Sequence, residues 1–359
     1  MRSSRIGIFV LFILAATVLS GCSFYNRVRA RQNLVDGASA YKNRKFDEAE
    51  KRFRYAASLD PNGDTEEGRT AQLSLARTLH SKFIGDRSRK DWAEEALNEY
   101  KKSLPQFLKD YKDTSAAYES NKGDDKAVRR FVNAISSISS TTGAIASLYD
   151  ALGQADKSKE WQNEVAASAD YPASARARAY SALASKANTC ANDISDNDKT
   201  KKTVTGKDGK QAYQYVKPES ADDFAKLKQC TAEGTDLVAK AIALEPAEVK
   251  NFASFNIEGS SDIQLMLMSE LSKAFESVRS YKAAMLNQTI RIAEMDGNNA
   301  DRDKSKAEYE TAKTNFSALS DFGKKLQAEI EKRAAAKEAA ENPAAAQAAN
   351  AGNTGGDKK

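Results

Sequence analysis

Apolar residues fall along this chain in three regimes. The first is an unbroken run from Ile6 to Leu19, preceded by Arg2 and Arg5. The second extends from Asn33 to Pro246, where small and apolar residues recur every third or fourth position in stretches separated by polar turns. That spacing predicts successive amphipathic helices. In the third regime the same step runs over longer spans: Leu267, Leu271, Ala274, Val278, Tyr281, Met285, Ile292 and Met295, then Ala312, Phe316, Leu319, Gly323, Leu326 and Ile330. With the turn DGNNADRD between them, these predict an antiparallel helical hairpin with a coiled-coil-like seam, each arm about 40–50 Å long. Such arms either reach for a partner or fold against the preceding helices, and packing is the expectation because a stack of hairpins needs a cap. The Ala-rich end predicts a frayed helix and a disordered tail.

Within the second regime the helices pair. Leu75, Ala76 and Leu79 mark one helix and Ala96, Tyr100 and Leu104 its partner, with the polar FIGDRSRKD between them. Ala146, Tyr149, Leu152, Gly153 and Trp161 outline a third pair. A fourth is split: SARARAYSALASKANTCA forms one helix, and Phe224, Leu227, Leu237, Val238, Ala241 and Leu244 stripe the other, which Pro246 stops. The intervening TKKTVTGKDGKQAYQYVKP predicts a β-hairpin, with Thr203-Val204-Thr205 and Tyr213, Tyr215, Val216 flanking a turn at Lys207-Asp208-Gly209.

The N-terminus has the form of an export signal. Fourteen apolar residues span roughly 21 Å as a helix, short of the ~30 Å hydrocarbon core, and small residues follow. The tetrapeptide Leu19-Ser20-Gly21-Cys22 resembles a bacterial lipobox. The resemblance implies cleavage before Cys22 and acylation of its sulfur and amine; several acyl groups make anchoring effectively permanent. Ser23, in place of an inner-membrane retention aspartate, favours the outer membrane facing the periplasm, with surface display left open. An ordinary secretory signal with an incidental cysteine is the plainer alternative.

The segment NLVDGASAYKNRKFDEAEKRFRYAASLDPNG, residues 33–63, resembles a tetratricopeptide (TPR) repeat. The family's small and aromatic positions fall on Gly37, Phe46, Ala49, Phe53 and Ala56, and its closing proline on Pro61. Gly37 and Ala49 would let two helices approach while Tyr41, Phe46 and Phe53 fill the space beside them. Asn33 and Asp36 depart from the pattern where large apolar residues are usual. The fold class expected is therefore all-α: a TPR-like helical-hairpin solenoid with a small β-hairpin insertion and a long C-terminal antiparallel helical hairpin. The organisation expected is a signal peptide over 1–21, a lipid-anchored tether over 22–32, repeats over 33–246 with an insertion at 195–218, the long hairpin over 247–336 and a disordered tail over 337–359.

Composition agrees with an all-helical protein: 29% charged residues, 8% aromatics and only six prolines. The formal charge of +5 falls by two to +3 once Arg2 and Arg5 leave, a balance that does not point to nucleic acid. Arg27, Arg29 and Arg31 either touch lipid headgroups or belong to a solvated tether. Two cysteines follow Cys22, and in an oxidising compartment an even count favours a Cys190–Cys230 disulfide closing the insertion, over two buried thiols.

Little in the sequence suggests catalysis. There is one histidine, His80; no metal-ligand spacing occurs; TGKDGK lacks the order of a phosphate loop. Four of the five methionines fall on one predicted helix, where core packing explains them. No cofactor is expected beyond the covalent lipid on Cys22, and no small-molecule substrate. TPR arrays hold ligands on a face lined by first helices; the resemblance places Arg31, Tyr41 and Lys42, then Arg77, His80 and Ser81, on it. Their basic character points to an acidic peptide or a free C-terminus as ligand, against the alternative of an ordinary solvated face. The function expected is thus a membrane-anchored scaffold or adaptor lipoprotein holding a protein partner in the cell envelope, in outer-membrane or secretion and pilus assembly. The rival is a cell-envelope enzyme or substrate-binding lipoprotein, which would need a closed pocket or a catalytic constellation.

Overall fold

The computed structural model describes residues 24–205, 209 and 211–341. The expected signal peptide, Cys22, most of the hairpin turn and the tail from 342 lie outside the described residues. The fold is all-α, built of consecutive helical hairpins; among the described residues the strands form a single two-stranded sheet. The protein divides into two compact units. One comprises the described residues up to Asp113 with Ser140–Glu160, the other Thr114–Ser139 with the described residues from Trp161 onward.

The first unit opens with α1, residues 24–42, so the stretch expected as a tether is already helical from position 24. Ala30, Asn33, Gly37 and Ala40 recur every third or fourth position and are buried or packed. The helix ends in a Schellman arrangement: Lys45 N–H reaches the Ala40 carbonyl, Arg44 N–H reaches that of Tyr41, and Arg44 takes φ 59°. In α2, Phe46–Ser58, the buried positions are Ala49, Phe53 and Ala56. A side chain at Gly37 would strike the Phe53 ring, its Cβ lying 2.6 Å from Cε1, so the residue types expected at this crossing are those the packing requires. Phe46 is half-buried, with its ring edge-on to Tyr41 at 5.4 Å. After Pro61 the backbone turns into α3, Glu66–Gly85, whose cap Thr65 accepts from Gly68 N–H. Asp60 braces the turn by accepting from the Thr65 amide and hydroxyl, both at 2.7 Å, and from the Asp64 amide at 3.1 Å. Lys82 of α3 binds Asp47 and Glu50 of α2 at 2.7 Å each.

Two long helices follow, α4 (Lys90–Ser120) and α5 (Asp125–Ala151). Both contribute to both units, and α4 continues through Pro105 well past the apolar pattern that ends at Leu104. In the second unit Tyr118 and Phe131 stack at 4.2 Å. Helix α6 (Ala155–Ala167) leads to α7 (Ala173–Ser195), the hairpin β1 (Lys201–Thr205) and β2 (Gln211–Tyr215), and α8 (Ala221–Ala243). The strands pair antiparallel from Lys201↔Tyr215 to Thr205↔Gln211. Cys190 of α7 and Cys230 of α8 are joined in a disulfide, Cα–Cα 6.1 Å. The hairpin base is further fixed by the Tyr215 amide donating to Glu294 and by Lys217 and Lys228 sharing Asp296, each at 2.8 Å.

A single turn, α9 (Ala247–Lys250), precedes α10 (Asp262–Met295) and α11 (Asn299–Glu341). At 34 and 43 residues these arms run about 51 and 65 Å, longer than expected. The α10 face carrying Leu271, Ala274 and Val278 is buried, as are Ala312, Leu319 and Leu326 of α11. Helix α10 packs on α7 and α8, as its capping role predicts. Met268, Met285 and Met295 are core residues, whereas Met266 is exposed. Across the α7–α10 contact, buried Arg291 donates to Asn192, Ser195 and Asp196, and Gln288 to Asn188 and Asn192. Among the described residues no helix is long and apolar enough to cross a membrane.

Candidate functional site: a first-helix face of the N-terminal unit

Within the first unit, the opening helices of successive hairpins, α1, α3 and the second half of α5, lie side by side. Tyr41 of α1 and Ser81 of α3 share a hydrogen bond of 2.8 Å between their hydroxyls. One turn back on α3, Arg77 donates from Nη2 to the Ser140 hydroxyl of α5 at 3.0 Å. Helical spacing produces this row: Arg77, Ser81 and Ile84 are i, i+4 and i+7 on the outward stripe of a helix whose opposite side buries Leu75, Leu79 and Phe83. Ile84 is 54% exposed and Tyr41 37%, giving the row apolar surface as well as charge.

His80 is half-buried behind this row, its ring edge-on to that of Tyr100 at 6.1 Å. Burial lowers its pKa from the ordinary imidazole value and the nearby Arg87 guanidinium lowers it further, so the ring is neutral at pH 7. The buried Tyr100 hydroxyl is pushed above the usual phenol range by desolvation. On the α5 side the row is bordered by small residues: Ser140 is half-buried, Gly143 and Ser147 are exposed, and a Cβ at Gly143 would meet nothing within 4 Å. Backbone there is open to close approach.

Four of the six residues expected on a ligand face thus converge: Tyr41, Arg77, His80 and Ser81. Arg31 and Lys42 do not join them. At about 100° per residue both lie some 80–100° around α1 from Tyr41, on its outward side. Ile84, Ser140 and Gly143 complete the face, and the repeat pattern does not single them out; Tyr100, marked by that pattern, is buried on α4 behind His80. Extending the Arg77–Ser81 stripe by one turn would find Ile84; nothing comparable finds Ser140, a small polar residue beside the buried α5 stripe of Val132, Ile135 and Ile138. Chemically the row offers one guanidinium, a neutral imidazole and hydroxyls already bonded to one another. Ser81 is paired with a phenol rather than with His80, so the arrangement suits binding of a polar or carboxylate-bearing segment rather than nucleophilic attack.

The second unit holds a separate cavity of about 200 Å³ lined by Val128, Phe255, Leu267, Met268 and Leu271, with Tyr118 at its edge. Its charged members, Lys122 and Glu248, pair with each other at 2.6 Å. The volume is below the roughly 300–1,000 Å³ of ordinary small-molecule sites. No group of three or more His, Cys, Asp or Glu side chains among the described residues is placed to hold a metal ion. Neither protein-family models nor curated proteins give a match to this sequence.

Proposed function

We propose that the protein is a lipid-anchored, periplasm-facing scaffold or adaptor lipoprotein of the bacterial outer membrane, attached through Cys22 and holding a protein partner on the α1–α3–α5 face. The observation that carries this reading is the convergence of Tyr41, Arg77, Ser81 and Ser140 from three first helices, beside exposed Ile84 and open backbone at Gly143. Such a row matches a partner segment that presents a carboxylate to Arg77 and an apolar side chain between Tyr41 and Ile84. The lipobox-like LSGC supports the anchor, and the TPR-like spacing of Gly37, Ala49 and Phe53 supports a repeat built for recognition.

The test is affinity capture from detergent-solubilised envelopes. Tyr41→Ala and Arg77→Glu should each abolish capture of the partner, whereas Lys42→Glu, on the other side of α1, should leave it intact. Cys22→Ala should release the protein from the membrane and retain the partner. Unchanged capture with Arg77→Glu would sink the face; membrane retention of Cys22→Ala after normal cleavage would sink the anchor.

A further inference from the structure

The outward side of α1 carries exposed apolar residues beside basic ones. Phe24, Val28 and Val35 fall on one stripe, at about 0°, 40° and 20° around the helix axis, with Arg31 and Lys42 on the same stripe. The apolar members are 72%, 50% and 65% exposed, and Tyr25 beside them is 57% exposed. Single exposed apolar residues are ordinary; four within twelve positions of one helix form an unpartnered face. Its charged members are mostly basic. Residues 24–42 hold Arg27, Arg29, Arg31 and Lys42 against one acid, Asp36, and Arg27 is paired with Glu67 of α3 at 3.2 Å. Farther around α1, on its flank toward α2, an open hollow of about 280 Å³ is lined by Arg29, Gln32, Asn33, Lys51, Arg52 and Tyr55. Three of those six are cations; of the acids nearby, Asp36 is engaged by Arg52 at 3.6 Å, and Glu48 precedes Arg52 by one turn on α2. Arg29 covers the Tyr25 ring at 5.4 Å, which holds an aromatic and a cation together at the start of the helix.

We propose that this face of α1, with the basic hollow it shares with α2, lies against an anionic phospholipid surface. Phe24, Tyr25, Val28 and Val35 enter the headgroup layer, and Arg29, Arg31 and Lys51 meet the phosphates. The composition is that of an interfacial amphipathic helix, with aromatic and aliphatic residues on one side and arginine beside them. Position supplies the second argument: Phe24 is two residues after Cys22, so the proposal rests on the lipid-anchor reading, which brings this helix to a membrane and no other. Because α1 is helical from its first described residue and is packed on α2 through Gly37 and Phe53, the contact would fix the orientation of the first repeat at the bilayer. A flexible tether would leave that orientation free.

Two arms test it. In the first, the full acylated protein is reconstituted in vesicles of phosphatidylcholine, or of equal parts phosphatidylcholine and phosphatidylglycerol, with brominated acyl groups. A tryptophan reporter, Val28→Trp or Val35→Trp, should be quenched in the anionic vesicles beyond the background of Trp92 and Trp161; a reporter at Lys90, Lys90→Trp, should not. In the second, the unacylated protein from position 22 on, carrying Cys22→Ala and keeping every described residue, is partitioned onto the same vesicles. Arg29→Glu with Arg31→Glu should lower its binding to the anionic vesicles by at least about tenfold, since each basic residue near such a surface contributes about fivefold. Mass spectrometry of Cys22 reads the anchor separately, so its failure is distinguishable from failure of the face. Unquenched reporters at positions 28 and 35 would overturn the proposal, as would equal binding of the unacylated protein to neutral and anionic vesicles. Val28→Asp with Val35→Asp should weaken binding while leaving far-UV circular dichroism unchanged.

Discussion

Replacing Gly37 by alanine and, separately, Gly143 by alanine makes the same chemical change in two helix interiors, and the structure requires opposite outcomes. In each case alanine gains about 1 kcal/mol of helix propensity over glycine. At Gly143 nothing lies within 4 Å of the added methyl, so that gain stands. At Gly37 the methyl would lie 2.6 Å from Phe53 Cε1 and 2.8 Å from Cδ1. Ordinary carbon contacts begin near 3.5 Å, so the ring or the helix must retreat by about 0.8 Å. Phe53 is only 3% exposed and has little room to do so. Overpacking of this kind costs about 1–3 kcal/mol, which exceeds the propensity gain over most of its range. Gly37→Ala should therefore destabilise the first unit by about 1 kcal/mol, and Gly143→Ala should stabilise it by a similar amount. In thermal unfolding followed by circular dichroism the two variants, about 2 kcal/mol apart, should separate by about 8 °C. Adding Phe53→Leu to Gly37→Ala should recover part of the gap, because the smaller side chain vacates the clashing ring positions. If Gly37→Ala melts at or above Gly143→Ala, the close α1–α2 approach is not what glycine serves there.

Three further outcomes follow from the same geometry. Replacing Cys190 and Cys230 by alanine opens a loop of 40 residues, and the second unit should lose up to about 4 kcal/mol in urea unfolding; a loss below about 1 kcal/mol would contradict a constraining role. His80, lowered by burial and by Arg87, should titrate below 6.5 by NMR; because the unfolded state binds that proton more readily, stability should fall as pH drops through 6.5, and His80→Gln should lack this dependence. Burial raises the Asp60 pKa, but the Thr65 hydroxyl and the amides of Thr65 and Asp64 outweigh it and hold the carboxyl below its usual value. Its contribution is therefore present above about pH 4 and lost as pH falls through the lowered value, and Asp60→Ala should cost about 1–2 kcal/mol at pH 7 with a shallower acid limb.

The first hairpin is legible in the sequence because its signals are steric. Gly37, Ala49 and Ala56 are small where helices touch, and Phe53 is large where space remains. The long C-terminal hairpin is legible for a similar reason, a strict apolar step over many turns. Residues 105–142 carry a fainter mark, although nearly all of them are helical. Their interior mixes apolar side chains with hydroxyls: Val128, Val132, Ile135 and Ile138 are buried, and so are Thr114, Ser139, Thr141 and Thr142, which interrupt the apolar step. Pro105 adds to the concealment, since it lies inside α4 where the ring removes a backbone donor. The proposed face is half legible. The repeat-like spacing names residues on α1 and α3, but the angle around each helix decides which neighbours they meet. That angle takes Arg31 and Lys42 away from Tyr41 and gives them to the outward side of α1. Ser140 comes from a helix whose course the sequence marks only faintly.

The Cys190–Cys230 bond closes α7, the β-hairpin and α8 into a covalent ring. Wherever a protease reaches an exposed loop, this changes what a cut means. Cleavage of any peptide bond between the two cysteines yields two polypeptides that remain one molecule, running as a single band without reductant and as two with it. The helices before the ring and the long C-terminal hairpin after it cannot then drift apart, and a nicked protein keeps both ends together.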